Sequence, residues 1–203
     1  MNIAILIEGD TEKSFLPVLR NFLDTDSRPK GRMPRFIPIV HKGRIPKNEK
    51  LKREVETLLT GRTPDAEHVI ALTDVYTVTN DFQDARDARE KMRDWVGPEP
   101  RFHPHAAQYD FEAWLLPYWP AILQLAKHNL KAPSGKPESV NHNRPPSVRI
   151  KEVFKTGKGR DYNKPRDARK ILEANDLSIA VQCCPELKAF INTILTLCGG
   201  DPL

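Results

Sequence analysis

Residues 2–7, NIAILI, form an apolar run with no polar alternation. A strand that is apolar on both faces must be covered on both, which is the condition of a buried strand in a parallel sheet. The rest of the chain supplies what such a strand needs. Thr11 to Asp24 carries Phe15, Leu16, Leu19, Phe22 and Leu23 at helical spacing, with Pro17 in the second turn arguing against a straight helix. RFIPIV (35–40) reads as a second strand, and Pro38 places it at an edge. A helix follows over 47–60, with Leu51, Val55, Leu58 and Leu59 on one face. HVIALT (68–73) is a third strand ending at Asp74, residues 81–95 a polar helix, and 101–107 a fourth strand. A further helix starts near Asp110, and Pro117 and Pro120 mark a break in it. Strand and helix alternate and hairpin dipeptides are absent, so the fold class is α/β with a mainly parallel sheet.

Beyond about residue 130 the pattern changes. Residues 131–165 are rich in Pro, Ser, Asn, Lys and Arg with little periodicity, which reads as a long basic loop or mobile element. Helices return at about 165–175 and 186–198. The organisation expected is an α/β domain over 1–130, with 131–203 a basic loop and helical extension packed on the same domain. The 39% of hydrophobic residues suffices for one core of ordinary size.

Charge is unevenly spread. The net charge is +5, yet residues 28–53 alone carry +9 and residues 131–170 carry +8, leaving −12 on the remainder. Two basic segments on an acidic remainder point to a polyanion surface beside clustered carboxylates. No apolar run approaches the roughly 20 residues of a membrane helix. The N-terminal run has no basic flank and no small-residue cleavage site, and reads as a strand and not a signal peptide. Cys183, Cys184 and Cys198 make neither a disulfide framework nor a zinc site, so the expected compartment is the cytoplasm.

The acids fall where strands end. Glu8 follows the first strand, with Gly9 permitting a tight turn, Thr11 as a helix N-cap and Glu12 in the first turn. Asp74 ends the third strand, and Asp110 and Glu112 follow the fourth. Active groups of α/β sheets gather at the carboxyl ends of strands. Close carboxylates repel unless a cation neutralises them, and hard oxygen donors select Mg²⁺ or Mn²⁺. Such a metal beside basic segments suits phosphodiester chemistry. Asp110 also reads as the N-cap of its own helix, whereas Glu112 amid Phe111, Ala113, Trp114, Leu115 and Leu116 needs a partner.

The segment 155–165, KTGKGRDYNKP, combines Lys155, Lys158, Arg160 and Lys164 with Gly157 and Gly159 and is a candidate contact for a nucleic-acid backbone, although it is no Walker A loop. Tyr162 could stack on a base. His103 and His105 read as surface histidines, and Trp114, Tyr118 and Trp119 as core. No Ser/His/Asp arrangement is legible, and Ser14 lacks a nucleophile elbow.

The ordered set I-E-G-D-T-E (7–12), A-L-T-D-V-Y (71–76) and Y-D-F-E-A-W-L-L (109–116) resembles the Toprim domains of topoisomerases, primases and the overcoming-lysogenization-defect nucleases, and more closely the bacterial family called domain of unknown function 4276. The later Y-N-K-P, A-R-K-I-L and C-C-P-E-L-K-A-F segments fit that family as well. The resemblance implies a Toprim-like sheet flanked by helices, a Mg²⁺- or Mn²⁺-dependent nuclease on DNA or RNA, and a place in phage defence with an ATPase partner; a homodimer is left open. It implies Glu8, Asp74 and Lys158 as catalytic residues. Glu8, Glu12, Asp74 and Glu112 would hold metal, and Lys155, Lys158, Arg160 and Lys164 would bind nucleic acid; Lys155 and Lys164 also remain candidates for the lysine near the scissile phosphate. Tyr76 departs from the Toprim pattern, which has a second aspartate there. The alternative is a non-catalytic, degenerate Toprim partner or sensor that binds nucleic acid, a nucleotide or an ATPase.

Overall fold

A computed structural model describes residues 1–25, 28, 31, 33–61, 66–75, 81–140, 144–158 and 160–203. The apolar run becomes strand β1 (Asn2–Ile7), the second of four parallel strands in the order β2-β1-β3-β4. The others are β2 (Arg35–Val40), β3 (His68–Asp74) and β4 (Phe102–Ala107). Alternate residues of the central strands serve opposite faces. Ile3, Ile5, Ile7, Ile70 and Leu72 join one core, and Ala4, Leu6, Val69 and Ala71 join the other. Helix α1 (Asp10–Thr25), running unbroken through Pro17, covers the first face. Helices α2 (Glu49–Thr60) and α3 (Ala85–Val96) cover the second. The change of face between α1 and α2 puts the topological switch point between β1 and β3, where open α/β sheets place their ligands.

Both edge strands carry a proline. The amides of Arg35 and His41 donate to Met1 O and Ile7 O, so the odd-numbered amides of β2 face β1, and Pro38 occupies an outward position. On β4, Arg101 O and Ala107 O accept from Val69 N and Val75 N, which turns Pro104 outward in the same way.

After β4 the chain forms a 3-10 segment (Phe111–Tyr118) and then α4 (Trp119–Ala126). The break falls between Pro117 and Pro120, as their lost amide donors require. Residues 146–158, expected within a basic loop, instead form helix α5 (Pro146–Lys158), whose Ile150, Val153 and Phe154 are buried. Gly157 lies in its last turn. A Cβ there would stand 2.2 Å from the Ala126 carbonyl oxygen, so this glycine serves the approach of α5 to α4 and not a phosphate. Helices α6 (Lys164–Glu173), α7 (Leu177–Cys183) and α8 (Pro185–Leu197) complete the first face, with Phe190 packed on Phe15 and Trp114. Among the described residues no helix is long and apolar enough to cross a membrane.

Candidate functional site

Glu8 is the first residue beyond β1, and two anchors fix it. Its carbonyl accepts from Gly43 N at 2.8 Å, and its Oε1 accepts a short hydrogen bond from the Thr73 hydroxyl. Thr73 and Asp74 end β3, opposite Ala106 and Ala107 of β4. Three residues beyond β4 stands Asp110, then Glu112 on the 3-10 segment. Glu12 enters from the first turn of α1, where a negative charge suits the helix N-terminus. Among the described residues the carboxyl end of the sheet thus carries five acids that are buried or partly buried, with exposed Asp10 beside Glu12. Glu112, Asp110 and Glu12 are 0%, 3% and 7% exposed, while Glu8 and Asp74 keep partial exposure and form the open side.

The electrostatics are those of acids crowded in a poorly solvated place. Burial raises Glu8 to about 7 against the Thr73 bond that lowers it, with Glu12 adding to the rise. Burial and then Asp110 raise Glu112 to about 7. Asp74 is raised well above its ordinary value by burial and by Glu12, Glu8, Asp110 and Glu112 together. Glu12 and Asp110 are raised by burial too, the latter against its bond from Ser147. Lys164 answers part of this charge. Its Nζ donates to Glu112 Oε2 at 3.1 Å, and burial, which opposes its charge, is outweighed by Glu112, Asp74 and Asp110, so the ammonium is stabilised. Arg44 lowers Glu8 and is itself paired with Asp81.

Lys164 arrives through helix packing. It is the first residue of α6, which Asn163 caps by accepting from Arg166 N at 3.1 Å. The helix docks on α1, where Ser14 donates to Pro165 O at 3.3 Å. The preceding loop is tied to buried Asp167, which accepts from Arg160, Arg166 and Asn163 N and is held at about 2; burial raises it, but these bonds prevail.

The structure therefore brings Glu8, Glu12, Asp74, Glu112 and Lys164 together. Of the other basic candidates, Lys155 is exposed on α5 and Arg160 is held on Asp167 and over the Phe154 ring, 4.7 Å from its centroid. Lys158 ends α5, with its side chain outside the described residues, as Tyr76 and Gly159 are altogether. Asp110 does not cap its own segment. Its Oδ2 accepts from Ser147 N at 3.1 Å and so caps α5. Tyr162 is 5% exposed and packs on Phe154, so it offers no face to a base. His103 is half-buried, and His105 is not a surface group either. Burial lowers them to about 4 and about 3, and they contact His68 and Thr193 away from the acids. Sequence reasoning missed Thr73, although a lone hydroxyl beside an acid at a strand end is a usable signal.

The donors that could hold a metal are all carboxylate oxygens. Asp110 Oδ1 and Glu112 Oε1 are buried with no partner, a feature that an added cation would satisfy. This chemistry fits Mg²⁺ or Mn²⁺. Among the described residues, however, no three such side chains are gathered as a ready-made metal site.

The same fold occurs in the solved C-terminal region of the Burkholderia pseudomallei OLD protein, with a TM-score of 0.54, 13% identity, and coverage of 97% of this chain and 98% of that one. No curated protein matches in sequence. The sequence of residues 7–195 matches Domain of unknown function (DUF4276), a span that holds all five acids and Lys164, and the chain belongs to that family.

Proposed function

We propose that this chain is a Toprim-like, Mg²⁺- or Mn²⁺-dependent phosphodiesterase acting on DNA or RNA in the cytoplasm, working in phage defence with an ATPase partner. The observation that supports it is the convergence of five acids at the switch point, open at Glu8 and Asp74. Glu8, Glu12, Asp74 and Glu112 would hold the metal, which when bound polarises a phosphate oxygen and acidifies water. The fold likeness to the OLD region and the E-G-D-T-E junction support the nuclease class.

The chain's own residues divide the remaining work. Glu8, partly exposed on the open side, accepts the proton of the attacking water as the water oxygen bonds to phosphorus. The P–O ester bond breaks, and the leaving oxygen takes a proton from solvent. Among the described side chains of the lysines named from the sequence, Lys164 is joined to the carboxylates, and we assign it the developing phosphate charge. Glu8→Ala should abolish Mn²⁺-dependent cleavage of single-stranded DNA, duplex DNA and RNA while leaving binding nearly intact. Equal cleavage by wild type and Glu8→Ala would falsify the assignment. A non-catalytic partner is the second reading, favoured by the lack of a gathered metal site among the described residues. Binding without cleavage by the wild type, with either metal, would decide for it.

A further inference from the structure

We infer that Lys164 is a resident counter-ion of the carboxylate site, and that its ammonium and a divalent cation compete for the same acids. The inference rests on the metal reading above and concerns how that site is loaded. Glu112 is wholly buried, and the cation that reaches it is Lys164, through Oε2. Its other oxygen, Oε1, and Asp110 Oδ1 have no partner, although both residues are more than nine-tenths buried. The charge of Lys164 is felt at Glu12, Asp110 and Glu112, and Asp74 in turn stabilises the ammonium. One ammonium is therefore shared among four acids, yet it satisfies by hydrogen bond a single oxygen of them. That explains why the acids converge without being gathered as ligands. A divalent ion could draw them together, but a cation already among them raises the cost of bringing in a second. Lys164 can withdraw without unfolding the site. It is the first residue of α6, its side chain is 37% exposed, and its stem is long enough to turn outward.

The test measures metal binding in the absence of nucleic acid. Mn²⁺ titrated by calorimetry into full-length wild type and Lys164→Met should bind the variant tighter by about tenfold or more, since one nearby positive charge is gone. The variant should also be less heat-stable without metal and regain more of its Tm on Mn²⁺ addition than wild type does. Equal or weaker binding by Lys164→Met overturns this inference alone. No binding by either protein overturns it together with the metal reading. Should the variant fail to fold, wild type decides. Reductive methylation followed by peptide mass spectrometry should show Lys164 more reactive in saturating Mn²⁺ than without it. Unchanged or reduced reactivity would mean that the ammonium stays on Glu112, and the inference falls.

Discussion

The Thr73 hydroxyl stabilises the ionised form of Glu8 and so opposes the burial that pushes this acid to about 7. Thr73→Val removes the donor and keeps the shape. In the metal-free protein Glu8 should then rise further, by about 1 unit, the equivalent of one hydrogen bond. Carboxyl titration by NMR without metal measures it, and an unmoved Glu8 would show that the Thr73 bond does not set its acidity. Glu112 has a consequence for stability. An ordinary glutamate near 4.5 releases its proton well before one held at about 7, so between these values the folded chain binds a proton that the unfolded chain has lost. Its contribution is therefore present at low pH and disappears as pH rises through the folded value. The metal-free Tm of wild type should fall between pH 5 and pH 8 more steeply than that of Glu112→Gln. Thermal scans across that range measure the difference, worth at most about 3 kcal/mol.

At the scale of elements, the last turn of α5 packs closely against the end of α4. Gly157→Ala sets a methyl against the Ala126 carbonyl, and denaturant unfolding should show a loss of about 1–3 kcal/mol. The same helix shows what could be read from the sequence and what could not. The first three strands were legible because each is a short, mainly apolar run, and Pro38 correctly marked an edge; β4, FHPHAA, fits the strand–helix alternation although it carries two histidines and a proline. Helix α5 was not legible, because its buried Ile150, Val153 and Phe154 are diluted by Lys and Arg, and its cap, Asp110, lies 37 residues earlier. The acids after strand ends were legible one by one. Asp110 was assigned to its own segment because local capping is the commoner arrangement. Lys164 could not be told from its neighbours in 155–164, since its place depends on α6 docking against α1, a long-range contact that no spacing reveals.

Across the whole molecule, much of the formal charge is already answered internally. Arg144, Arg160, Arg166 and Arg169 are paired with Glu152, Asp167 and Glu173, and Arg44 and Lys47 share Asp81. Lys131, Lys136, Lys151 and Lys155 remain exposed, and these are the groups to expect against a phosphate backbone. Two variants separate the roles. Lys155→Glu should weaken oligonucleotide binding and lower the slope of log K against log salt by about 1 to 2, with Tm unchanged. Arg160→Ala should instead cost about 2 kcal/mol of stability, because it removes bonds to a buried carboxylate. A salt titration by fluorescence anisotropy, paired with a thermal melt, distinguishes them. The outward prolines bear on a different matter, the fate of the protein at high concentration. A four-stranded sheet has two open margins, and each here lacks an amide donor at an outward position, so neither can be matched hydrogen bond for hydrogen bond by an incoming strand. Growth of the sheet from one molecule into the next, the first step toward a fibril, is thereby obstructed at both ends, and self-association is left to helices and loops.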